Sequence, residues 1–195
     1  MKISKKLLEQ LYLKEKLSVS QIAKKLNRSI SGINYWIEIY KIKKRTISEA
    51  IYSRHNPKGD PFVFVKPKNQ KESELFGLGI GLYWGEGTKA NKNTVRIGNS
   101  DVNIIKVFIK FLKIFFGVSK EKLKFQLHLF DDLNISDAEK YWLENLFINK
   151  NQLYKTIVTK SGSLGTYKHK NKYGVITLYY GNTKLRNILV NMLPK

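Results

Sequence analysis

Glu86 ends an apolar run crowded with glycine, Leu75-Phe76-Gly77-Leu78-Gly79-Ile80-Gly81-Leu82-Tyr83-Trp84-Gly85-Glu86-Gly87. Read as a helix, the run puts Gly77, Gly81 and Gly85 on one stripe at i, i+4 and i+8. Each interior glycine costs roughly 1 kcal/mol relative to alanine, so four of them forgo about 3–4 kcal/mol. Close approach of a second helix would offset that loss. Glu86 falls where the helix macrodipole is negative and a carboxylate is disfavoured. A carboxylate beside converging carbonyl oxygens suits a hard cation. The expectation is a tight helix pair with a metal at its foot. The competing reading is a plain buried helix with a solvated Glu86. Gly77-x-Gly79-x-Gly81 lacks the strand-turn-helix context of a dinucleotide loop. The run is also shorter than a membrane span and is bounded by Glu74 and Glu86.

The segment resembles the LAGLIDADG motif of homing endonucleases. Gly81, Gly85, Glu86 and Gly87 match its small residues, acid and final glycine, and Leu82 and Tyr83 match its central apolar pair. Gly79 stands for the first leucine and Trp84 for the variable first aspartate. The resemblance covers roughly residues 72–193. It implies that motif helices of two subunits pack together and that their terminal acids bind the divalent metals that cut DNA. The motif occurs once in this chain, so a homodimer through Gly77, Gly81 and Gly85 is expected, with one Glu86 from each copy. Mg²⁺ (or Mn²⁺) would be held by Glu86, a backbone carbonyl, water and phosphate oxygens. Lys89, one turn on, is the candidate to neutralise the phosphate, or else an i,i+3 partner of Glu86. Lys160, Lys170 and Lys184 are weaker candidates for the family's catalytic lysine. His55, His128 and His169 are scattered and show no metal-ligand spacing.

Residues 4–44 read as a helix-turn-helix. A first helix over 5–15 has Leu7, Leu8, Leu11 and Leu13 as its apolar positions. Ser18 and Gln21 form a capping box for a second. Asn27-Arg28 makes the turn, and Ser29 caps a third helix to about Tyr40. Ile33, Trp36 and Ile37 point inward at helical spacing. Ser29, Ile30, Ser31, Asn34 and Tyr35 lie at the outward N-terminal half, where such a helix reaches base edges in the major groove. Asn34 suits adenine and Ile30 a thymine methyl. Ser18-Val-Ser-Gln-Ile-Ala-Lys-Lys-Leu-Asn27 resembles the helix-turn-helix of bacterial resolvases and transposases. Lys43, Lys44 and Arg45 follow as a phosphate-contacting run, and proline, glycine and lysine over 54–71 suggest an extended linker.

After the glycine run, alternation predicts a short strand at 94–97 with Arg96 on its polar face. A helix to Phe116 has Ile104, Phe108, Phe111, Leu112 and Phe115 as its core stripe and Gly117 as its stop. The strand 122–130 alternates an apolar face with the row Lys122, Lys124, Gln126 and His128. Such a row can read a DNA groove or simply be solvated. Ser136 and Glu139 suggest a capping box for the next helix. Two more strands, 155–160 and 174–180, flank a basic loop with Lys168 and Lys170 that, with Lys160, would clamp phosphates. A metal site at Asp131 and Asp132 is disfavoured, because paired surface acids usually sit in water.

Charge agrees with these motifs. The 195 residues carry 36 Lys+Arg against 15 Asp+Glu, a formal net charge of +21, which points to a polyanionic partner. A hydrophobic content of 42% supports a real core rather than a basic tail. No cysteine is present, which removes disulfides and thiolate zinc sites. Without an evident signal or membrane span, the expected setting is cytoplasmic and nucleoid-associated.

The expected fold is α+β. An all-α helix-turn-helix module at 1–53 and the linker precede a LAGLIDADG-type saddle at 72–195. Four mainly antiparallel strands form that saddle, with helices on one face. The implied function is sequence-specific double-stranded DNA binding with homing-type, metal-dependent cleavage. A non-cleaving regulator on the same scaffold is the alternative, since some sporulation regulators combine such domains.

Overall fold

A computed structural model describes residues 2–57, 59–161 and 171–194. The chain divides into two compact units, Met1–Pro61 and Phe62–Lys195. Among the described residues there are eight α-helices and one four-stranded mixed sheet, so the fold is α+β. No helix among them is long and apolar enough to cross a membrane.

The first unit holds α1 (Lys5–Glu9), α2 (Val19–Lys25), α3 (Ile30–Ile39) and α4 (Ile47–His55). Its core is Leu8, Leu11, Tyr12, Ile22, Ala23, Ile33, Ile37 and Ile42, with Ile3 at the edge. Ser18 and Gln21 cap each other at the start of α2, and Ser29 caps α3. These caps act within three residues, which is why they are legible in the sequence.

The first helix departs from its expected pattern. After Glu9 it widens into a π-helical turn, Gln10–Lys14, closed by the Glu15 N–H on the Gln10 carbonyl. The wider turn shifts the helical phase of the residues beyond Glu9. Of the apolar positions, Leu8 and Leu11 are buried together with Tyr12, while Leu7 and Leu13 are exposed.

In the second unit, α5 (Gln70–Glu86) leads into β1 (Val95–Asn99), and α6 (Val102–Phe116) leads into β2 (Lys124–Phe130). Then come α7 (Ile135–Leu146), β3 (Ile157–Thr159), β4 (Val175–Tyr180) and α8 (Thr183–Asn191). The sheet order is β1-β4-β2-β3, with β4 antiparallel to both β1 and β2 and with β3 parallel to β2. Val95, Ile97, Phe125, Leu127, Leu129, Ile176 and Leu178 supply its buried face. They share one core with Tyr83 of α5, the aromatic stripe of α6, Trp142 of α7 and Leu185 of α8.

Several boundaries move from the sequence expectation. Ile105 rather than Ile104 is fully buried on α6. Asn134 caps α7 by accepting from the Asp137 N–H at 3.1 Å, so Ser136 falls inside the first turn. Lys122 lies in a 3₁₀ turn, Lys120–Lys122, and is not in the strand. The expected linker is an ordered segment: α4 runs into its start at His55, and its middle is tied to the second unit. Phe62 belongs to the second core, and the N–H groups of Val63 and Val65 donate to Phe116 and Phe115 carbonyls. Phe64 stacks on Phe116 at 5.4 Å. Phe62 is the buried anchor of this stretch, and Val63 to Val65 lie against the end of α6 by backbone hydrogen bonds and the Phe64 ring while remaining exposed.

Gly79 is where α5 meets α6. A Cβ there would lie 2.2 Å from the Phe111 ring. Gly79→Ala is expected to destabilise the second unit by about 1–3 kcal/mol, the usual cost of overpacking, as read from the urea midpoint.

Candidate nucleic-acid interface

In the first unit, α3 buries Ile33 and Ile37, and that fixes which side faces out. Ile30 is 54% exposed and Tyr35 57%, and Ser31 is also exposed, whereas Asn34 is half-buried. Ser29 Oγ is committed to the Gly32 N–H at 3.1 Å and also accepts from Ser31. Tyr35 meets Trp36 edge-on at 5.2 Å, and Trp36 stacks on Tyr40.

The basic run after α3 is less available than its composition implied. Lys44 pairs with Glu38 at 2.7 Å. Arg45 donates to the Lys16 carbonyl at 2.8 Å and to the Leu17 carbonyl, and its guanidinium covers the Tyr12 ring at 4.4 Å. Arg45 therefore buckles the loop to the π-helical turn. Lys43 is exposed.

In the second unit, the glycines of α5 divide into two kinds. Gly79 is buried against Phe111, but a Cβ on Gly77, Gly81 or Gly85 would meet nothing within 4 Å. Leu78, 51% exposed, and Trp84, 56% exposed, lie on the same outward side. Glu86 is the last residue of the helix; it is exposed and has no hydrogen-bond or ion-pair partner among the described residues. Gly87 then turns the chain to the edge of β1, bridging Ile97, while the Thr88 N–H donates to the Arg96 carbonyl at 3.1 Å.

Lys89 Nζ donates to the Trp84 carbonyl rather than to Glu86, and Arg186 of α8 donates to the Lys89 carbonyl. Behind this turn, Tyr83 is fully buried, and its hydroxyl has no hydrogen-bond partner among the described residues. Burial pushes its phenol pKa up, and the nearby Arg186 charge only opposes this, so Tyr83 stays protonated near neutral pH.

The outward face of the sheet carries Arg96, Lys124, Gln126 and His128, as alternation predicted, but most of their polar ends are already engaged. Lys124 Nζ donates to the Asn151 carbonyl at 2.9 Å, and the Gln126 amide donates to the Lys155 carbonyl at 3.3 Å. His128 Nε2 lies 2.6 Å from Thr159 Oγ1. These contacts form a side-chain ladder that fastens the 151–159 segment to β2.

Arg96 is held differently: its Nε donates to Thr94 Oγ1 at 2.7 Å, and its Cζ lies 4.9 Å from the Tyr179 ring centroid. Lys122 and Lys160 are exposed at the margins, and Lys168 and Lys170 lie outside the described residues. Sequence reading missed Tyr179, Thr94 and Arg186. Only Tyr179 carried a signal, as an aromatic at an outward position of an alternating strand.

Two acids of this unit act as internal fasteners. Asp131 accepts from the Ser161 N–H at 2.8 Å, and Glu139 accepts from the Thr156 hydroxyl at 2.6 Å. No group of three or more His, Cys, Asp or Glu residues suited to a metal occurs among the described residues.

Comparison of the chain with family models, with curated proteins and with solved structures finds no match.

The ladder makes a direct prediction. Gln126→Ala removes its hydrogen bonds to the Lys155 carbonyl and from the Tyr179 hydroxyl and should cost about 0.5–1.5 kcal/mol per bond, seen as faster amide exchange in the 151–159 segment and its β2 partner rather than across the unit.

Proposed function

We propose that this chain is a sequence-specific double-stranded DNA-binding protein that acts as a homodimer and cuts its target with a divalent metal, as in the LAGLIDADG endonucleases its glycine segment resembles. The observation that carries this reading is the unmet glycine stripe beside Glu86. Gly77, Gly81 and Gly85 each cost roughly 1 kcal/mol of helix stability and gain nothing within the chain. Packing against the same stripe of a second copy would use the absent side chains and would cover Leu78 and Trp84.

The same two-fold axis would bring two Glu86 carboxylates together. The described residues of one chain group too few ligands for a resident metal; the fit would be to Mg²⁺ or Mn²⁺ shared by both Glu86 residues and completed by water and phosphate oxygens. When bound, the ion supplies Lewis-acid polarisation of the phosphodiester and a water of lowered pKa. The DNA-facing surfaces would be the outward side of α3, in the manner of a helix-turn-helix, and the polar face of the sheet. A net charge of +21 supports a polyanionic partner for both.

One observation favours a non-cleaving regulator instead. Lys89, the cation nearest Glu86 in sequence, has its ammonium held by the Trp84 carbonyl, which leaves the phosphate-neutralising role without an assigned residue.

Duplexes selected from a random pool and incubated with Mg²⁺ or Ca²⁺ separate the two. Cleavage is expected with Mg²⁺ only. Glu86→Gln should abolish it while leaving affinity within about threefold, as for other exposed substitutions. Tight, specific binding with no cutting in either metal selects the regulator. Gly81→Leu should yield a folded monomer by analytical ultracentrifugation, with weakened DNA binding. An unchanged dimer, or a monomer of unchanged affinity, would sink the dimer reading.

A further inference from the structure

The polar face of the sheet contains one side chain that is both fixed and unsatisfied. Arg96 is half-buried on β1, opposite Tyr179 of β4. Its Nε–H is taken by Thr94 Oγ1 at 2.7 Å. The Thr94 hydroxyl donates in turn to Asn91 Oδ1 at 3.0 Å, which leaves an oxygen lone pair for Arg96. Tyr179 lies against the guanidinium face, and its own hydroxyl donates to Gln126 Oε1 at 3.1 Å, so the ring is oriented as well. One edge and one face of the guanidinium are therefore set within the chain. Nη1 and Nη2 have no partner among the described residues.

Lysines elsewhere on this unit end in a single charged group on a flexible stem, suited to phosphate without sequence preference. Arg96 instead presents two parallel donors whose direction is determined before any ligand arrives. Two adjacent acceptors match such a fork. In the major groove, guanine offers O6 and N7, whereas adenine offers one acceptor and one donor.

We propose that Arg96 is a specificity-determining residue that reads one guanine of the target duplex through Nη1 and Nη2, with Thr94 and Tyr179 as its positioning residues. This rests on the reading of the sheet as a double-stranded DNA surface, and it adds a base identity to that reading.

The test selects duplexes from a random pool with the wild-type protein and with Arg96→Met, which keeps an unbranched stem but has no donor, then measures affinity for the winning site by fluorescence anisotropy at fixed salt. The wild-type motif is expected to contain a guanine that Arg96→Met no longer selects, with the other positions retained. Changing that guanine to adenine should weaken wild-type binding roughly 5- to 150-fold. Replacing it with 7-deazaguanine, which lacks only the N7 acceptor, should weaken wild-type binding roughly tenfold and leave Arg96→Met indifferent. Because the lesion is in the DNA, misfolding of a variant cannot imitate this result. Tyr179→Phe keeps the ring and should keep the preference, whereas Tyr179→Leu should reduce it.

Equal loss across all sequences in Arg96→Met would assign the residue to phosphate and overturn the proposal. So would wild-type binding that ignores 7-deazaguanine at every guanine of the site. No sequence-specific duplex binding by the wild type would overturn the underlying reading together with this one.

Discussion

The second unit depends on the missing side chain at Gly79. Without a Cβ there, the Phe111 ring of α6 lies directly on the backbone of α5. That contact sets the rotation of α5 about its own axis. Tyr83, one turn on, then enters the core and stacks on Phe108 at 6.0 Å. Phe76, one turn back, meets the α6 aromatics from the other side. Once those three positions are inside, helical periodicity leaves Gly77, Gly81 and Gly85 facing out and Glu86 at an open end. The glycines thus divide between two duties, one within the chain and one that nothing in the chain explains.

The sheet shows a similar division between holding the fold and remaining available. Its inward positions are uniformly apolar, as period-two alternation requires. The outward positions of β2 are polar, yet their hydrogen-bonding ends reach across to the 151–159 segment. The strand β3 has only three residues, too few for a strong ladder of its own, and these side chains compensate. Acids are used in the same way, tying Ser161 and Thr156 into place. With much of the scarce negative charge engaged internally, the surface keeps a large lysine excess, and it attracts a polyanion at long range, screened by salt.

Among the described residues, α5 ends on a single carboxylate, Glu86, with no second acid grouped beside it. Hard divalent cations need several oxygen ligands. Within one copy, the turn after Glu86 is organised around carbonyls already taken by Lys89 and Arg186. In the proposed homodimer, symmetry would supply the second acid, so that dimer contact and metal would share the same helix.

Much of this molecule is determined locally and is readable in the order of its residues alone. The Ser18–Gln21 box, the Ser29 cap and the Gly117 stop each involve residues a few positions apart. The same holds for the alternation of β2 and β4 and the aromatic stripe of α6. Tertiary structure decided what depends on partners distant in the chain. The sequence could not separate Gly79 from its neighbours, because Phe111 chooses among them. Nor could it separate Arg45, which buckles onto Lys16 and Leu17, from a free phosphate contact. A π-helical turn interrupts the first helix, and Lys124, Gln126 and His128 found partners about thirty residues away. Periodicity names the face a side chain occupies, but only the folded chain settles whether its polar end is already satisfied there.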